Sequence, residues 1–108
     1  MKTIATLLAL LAAPVMASPA MDEFCVKKGA LAASIMNGRQ GGITLERALE
    51  IIEIAEAPVV DLARQLVLDA YAKPRFITAS VREQAISDFR DHVTLTCIIT
   101  AIEQEEAQ

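Results

Sequence analysis

Tryptophan is missing, tyrosine and histidine occur once each, and 10 basic residues face 14 acidic ones in a chain of only 108. Each shortage removes a class of function. A net charge of −4 leaves no basic stripe to track phosphates, so no nucleic-acid partner is expected. The length admits one small domain and excludes a kinase, a (β/α)₈ barrel or a two-domain dehydrogenase. The two cysteines are not spaced as Cys-x-x-Cys, which removes thioredoxin-type redox chemistry. One histidine with two distant cysteines is no zinc site, and the Walker A pattern is absent, so no metal and no cofactor are expected.

What the chain has in excess is apolar residues, 54% of the total, and they are unevenly placed. Residues 1–17 read MKTIATLLALLAAPVMA: Lys2, an uncharged run from Ile4 to Ala13, then Pro14 and small residues. A charged start, a short apolar core and a small-residue cleavage site describe a secretory signal peptide, cut after Ala17 or, in the alternative, after Ala20. The apolar run is too short for the roughly 20 residues that a membrane span takes, so no stable membrane anchor is expected after processing. The expected domain is then residues 18–108, with 14 acidic against 9 basic residues, net −5, exported to the periplasm or the extracellular medium.

Cys25 and Cys97 stand near the two ends of that domain, and in an oxidising compartment a single disulfide between them is expected. The remaining pattern is helical. Phe24, Lys28, Leu31 and Ile35 share one face at helical spacing, with Cys25, Ala32 and Met36 beside it, and Asn37-Gly38 should end this helix. Gly29 weakens its middle by up to about 1 kcal/mol. Thr44 is an N-cap type, and Leu45, Ala48, Leu49, Ile52, Val59, Val60, Ala63, Leu66, Val67 and Ala70 keep one phase across Pro58. Residues 44–72 therefore read as one kinked helix or two abutting helices. Ser80 and Glu83 match a capping box for a last helix running from about Val81 towards Glu103, although Val93–Ile102 is locally β-branched. The sum is an all-α fold, a small three- to four-helix bundle stapled by one disulfide.

Candidate chemistry is sparse. Asp88 and His92 share a helix face at four-residue spacing and form a candidate pH-sensitive pair. Arg39, Gly41 and Gly42 precede a helix start and form a candidate anion loop. Glu46, Glu50 and Glu53 fall on a polar helix side with Arg47 and Arg64 interspersed, as a solvated face does, and Lys73, Arg75 and Arg82 make a small basic spot. Ile54, Leu68, Leu95, Ile98 and Ile102 lie off the core arcs and form a candidate interface. With no catalytic residue assigned, the expected function is non-enzymatic: a protein-binding or self-associating module whose partner is another protein or a second copy. The alternatives are a periplasmic acid-responsive stress chaperone and a small-molecule carrier.

Overall fold

A computed structural model describes residues 19–107, so the expected signal segment and its cut after Ala17 lie outside the described residues. Four helices are present among them: α1 Pro19–Gln40, α2 Leu45–Ile52, α3 Val59–Tyr71 and α4 Ala79–Ala107. The described residues contain no strand, and no helix there is long and apolar enough to cross a membrane. The alternative cut after Ala20 would remove the first two residues of α1.

The helices run up, down, up and down. α1 and α4 form an antiparallel pair, as Cys25 meeting Cys97 and Gly29 meeting Arg90 and Thr94 require. α3 packs on α1, and α2 packs mainly on α3. Met36, Leu66, Ala70, Phe89 and Val93 close the core between α1, α3 and α4, with Ala32 filling the gap. The buried face of α1 is Cys25, Gly29, Ala32, Met36 and Gln40. This corrects the expected face: Phe24 is half exposed, and Leu31 and Ile35 pack only on the edge of the core. Small residues on the seam let the two long helices approach closely, which large side chains would prevent.

The disulfide joins Cα atoms 5.5 Å apart, inside the ordinary range for such bonds. It ties two helices near opposite ends of the described chain, across a sequence separation of 72. The ion pairs between Lys27 and Glu23 and between Arg90 and Asp91 are exposed and add little.

Three boundaries differ from expectation. α1 passes through Asn37-Gly38 and ends at Gln40, because the left-handed turn falls on Gly42, whose φ is +96°. Residues 44–72 are neither one kinked helix nor two abutting ones: residues 53–58 intervene as a turn, with a cis Ala57–Pro58 peptide, and Pro58 stands at the α3 N-terminus. Pro58 has no N–H to donate to a preceding turn, so the helix does not continue through it. Periodicity records which side chains are buried, not the path of the chain between them. Finally, α4 starts at Ala79, ahead of Ser80, and the Thr78 carbonyl accepts from the Arg82 N–H at 3.0 Å. Ser80 is thus inside the helix, not its cap, and α4 runs on through the β-branched stretch to Ala107. Thr44 does cap α2: its hydroxyl accepts from the Arg47 N–H at 3.2 Å.

Gly29 changes sign between sequence and structure. By helix propensity, Gly29→Ala should stabilise by up to about 1 kcal/mol. In the fold, a Cβ there would collide with Thr94 Oγ1 and stand 3.2 Å from the Arg90 carbonyl. Gly29→Ala is therefore expected to destabilise by roughly 1–3 kcal/mol in urea unfolding. Adding Thr94→Ala should recover part of the loss, whereas Thr94→Ser, which keeps the hydroxyl, should not.

Candidate functional site

The segment between α3 and α4 has no regular structure, yet it is held at almost every carbonyl. Gln40 at the end of α1 is 2% exposed, and its side-chain amide clamps this segment: Nε2 donates to the Pro74 carbonyl at 2.8 Å, and Oε1 accepts from the Phe76 N–H at 2.9 Å. Arg39 donates through Nε and Nη2 to the Lys73 carbonyl, at 3.2 and 3.1 Å. Arg75 Nε returns a bond to the Gln40 carbonyl at 3.1 Å, and Arg82 Nη1 reaches the Phe76 and Ile77 carbonyls. Carbonyls left open where a helix ends accept such donors readily, and cationic donors suit the negative end of the helix dipole.

This network engages residues of two expected features. In the candidate anion loop, Arg39 and the Gly41 and Gly42 N–H groups have partners within the fold. Arg39 lies in the last turn of α1 and points to α3, while the Arg75 guanidinium lies against Gly42, where an added Cβ would come within 3.2 Å of it. The basic spot of Lys73, Arg75 and Arg82 is likewise divided: both arginines bond backbone carbonyls, while Lys73 and Arg75 remain exposed. Sequence reading missed Gln40 altogether. No local signal marks a glutamine whose partners lie 34–36 residues away.

Holding this segment shapes a groove between it and α4, of about 340 Å³. Met36 and Phe89 form its buried floor, with Phe76 half-buried beside them. Lys73, Asp88 and His92 stand exposed at its rim. Asp88 and His92, paired in expectation, do share this rim, but no ion pair joins them among the described residues. Asp88 Oδ1 instead accepts from Gln84 Nε2 at 2.7 Å, one turn earlier on α4. His92 also borders a smaller groove facing Lys28 and Asp69.

A second crevice, about 200 Å³, lies between α1, α2 and α3 and is walled by Leu31, Ile35, Ala48, Ile52 and Val67. Tyr71 closes its upper end: the phenol donates to the Ile43 carbonyl at 2.7 Å, and the Arg39 guanidinium sits 5.2 Å over the ring. Burial pushes the Tyr71 phenol above the ordinary value near 10, with Arg39 opposing it in part. A phenol raised in the fold adds stability that is present below the unfolded value and lost as pH rises through the folded one. Ionisation also removes the proton that bonds Ile43. Near-UV absorbance of this single tyrosine should therefore titrate above 10, and stability should fall across the same range. Tyr71→Phe should abolish that alkaline loss while costing about 1 kcal/mol at neutral pH.

The candidate interface residues do not form one patch. Leu95, Ile98 and Ile102 share the side of α4 turned away from α3, with Leu95 58% exposed and Ile98 and Ile102 half-buried. Leu68 faces outward from α3, and Ile54, 88% exposed, is in the turn between α2 and α3, so neither is on α4. Ile99 is exposed on α4 as well, about 200° round the helix from Cys97 and so turned away from α1, while Val26 is exposed on the side of α1 opposite Lys28 and Ile35. The acidic residues Glu46, Glu50, Glu53 and Asp61 are all exposed, and no group of three or more potential metal ligands comes together among the described residues. Comparisons with protein-family models, with curated proteins and with solved structures find no match to this chain.

Proposed function

We propose that this protein is a small exported helical module, not an enzyme, that acts by binding another protein or a second copy of itself. The observation that supports this reading is the apolar stripe of α4. Leu95 and Ile99 are exposed and Ile98 and Ile102 half-exposed, on a helix whose opposite side already carries the core. Apolar side chains grouped on an outer face favour association, since burial returns about 25 cal/mol per Å². Export is supported by the signal-like residues 1–17 and by the disulfide, a bond that persists in oxidising compartments.

The test is sedimentation and cross-linking of the full chain, alone and in an exported fraction. Wild type should associate or cross-link, and a Leu95→Glu, Ile99→Glu double variant should abolish it while keeping its helical spectrum. A strict monomer that captures nothing would sink the proposal. Dye binding that appears only below about pH 4 would replace it with the acid-responsive chaperone reading.

A further inference from the structure

We propose that the groove between α4 and residues 73–76 is a binding site for a free α-amino acid with a large apolar side chain, taken as its zwitterion. The observation behind this is a juxtaposition of charge. Lys73 on one wall and Asp88 on the other carry opposite charges, and no ion pair joins them among the described residues. Between them lies a floor of Met36, Phe76 and Phe89. The volume, about 340 Å³, falls at the small end of ligand pockets.

Each wall selects against half of the candidate ligands. A simple carboxylate would be drawn to Lys73 but repelled by Asp88, and a simple amine would meet the reverse. A molecule carrying both charges on one carbon satisfies both walls and leaves its side chain for the apolar floor. Asp88 uses Oδ1 to accept from Gln84, and a carboxylate has acceptor capacity left for an ammonium. The carboxylate of the ligand meets the Lys73 ammonium, and His92 lines the same groove one turn along α4 from Asp88. The walls are also fixed in place. The Lys73 carbonyl is held by Arg39, and the Pro74 and Phe76 backbone by Gln40, so the backbone of this wall is set before a ligand arrives. His92 on this rim and Leu95 of the outer stripe are i, i+3 neighbours on α4, so the two features adjoin, but the site does not depend on the function proposed above.

The experiment is calorimetric titration of the full chain with L-phenylalanine and L-leucine, against two probes that each lack one charge, 3-phenylpropionate and phenethylamine. L-Phenylalanine should bind saturably and at least about tenfold tighter than either probe. Asp88→Asn should let 3-phenylpropionate bind as well as the amino acid, and Lys73→Gln should do the same for phenethylamine. Both substitutions change exposed side chains and spare the backbone bonds, and the helical spectrum checks the fold. Equal affinity of wild type for all three aromatic ligands would reduce the site to a greasy cleft and overturn the proposal. Absence of saturable binding by both amino acids would overturn it as well.

Discussion

Reduction of the Cys25–Cys97 bond is expected to lower stability by about 4 kcal/mol, the largest effect of any single change in this protein. The bond closes a loop across a sequence separation of 72, and in the chain-entropy model the unfolded chain regains that freedom when it opens. Little else holds this end of the bundle. α3 starts only at Val59, and the two ion pairs among the described residues are exposed. Cys25 itself is fully buried, so Cys25→Ser also places a hydroxyl in an apolar seam, whereas Cys97→Ala does not. Urea unfolding with and without reductant should show the shift in wild type and none in the Cys25→Ala, Cys97→Ala double variant. A shift below about 1 kcal/mol in wild type would mean that helix packing alone carries the fold. Since small domains have only some 5–15 kcal/mol in total, the reduced protein should be marginal at physiological temperature.

The second large effect is expected at Gln40. Gln40→Leu keeps the volume but leaves the Pro74 carbonyl and the Phe76 N–H without their partner, at a cost of about 2–4 kcal/mol. Gln40→Glu separates the two halves of the clamp. At neutral pH its carboxylate still accepts from Phe76 but faces the Pro74 carbonyl with no proton to give, and it buries a charge. Burial raises such a carboxyl, so its protonated form favours the fold and stability is recovered as pH falls through its value. Relative to wild type, Gln40→Glu should therefore gain stability between pH 7 and about 4, and Gln40→Leu should not. Denaturation curves at the two pH values decide this. Both variants should also loosen the 73–76 wall and weaken binding in the groove beside it, which links the clamp to the site.

Much of the helical pattern was legible in local terms. Apolar spacing placed the helices, the Thr44 hydroxyl capped the one it was expected to cap, and cysteine count left one intramolecular pairing. These features depend on neighbours within a turn or on simple counting. The legible part stopped where a residue's role depends on a distant segment. Gly29 reads as a weak point in a helix, yet α4 packs against it with no room for a Cβ. Arg39 and Gly42 read as an anion loop, yet Arg39 bonds the Lys73 carbonyl just beyond α3 and Arg75 occupies the space beside Gly42. Asp88 and His92 read as a pair, yet their shared feature is the groove wall they form with Lys73.

The amino-acid sequence alone thus determined the class of the protein: a small, acidic, all-helical chain with one available bridge, too short and too poor in catalytic motifs for the large enzyme folds. The tertiary structure decided what faces what. It packed α2 mainly on α3, separated Leu68 and Ile54 from the stripe of α4, and brought Lys73 and Asp88 to one groove over a floor of Met36, Phe76 and Phe89. The physical reason is range. Helix periodicity and caps are set by hydrogen bonds three to four residues long, whereas packing register is set by contacts such as Gln40 to Phe76 and Gly29 to Thr94, whose partners no local pattern names.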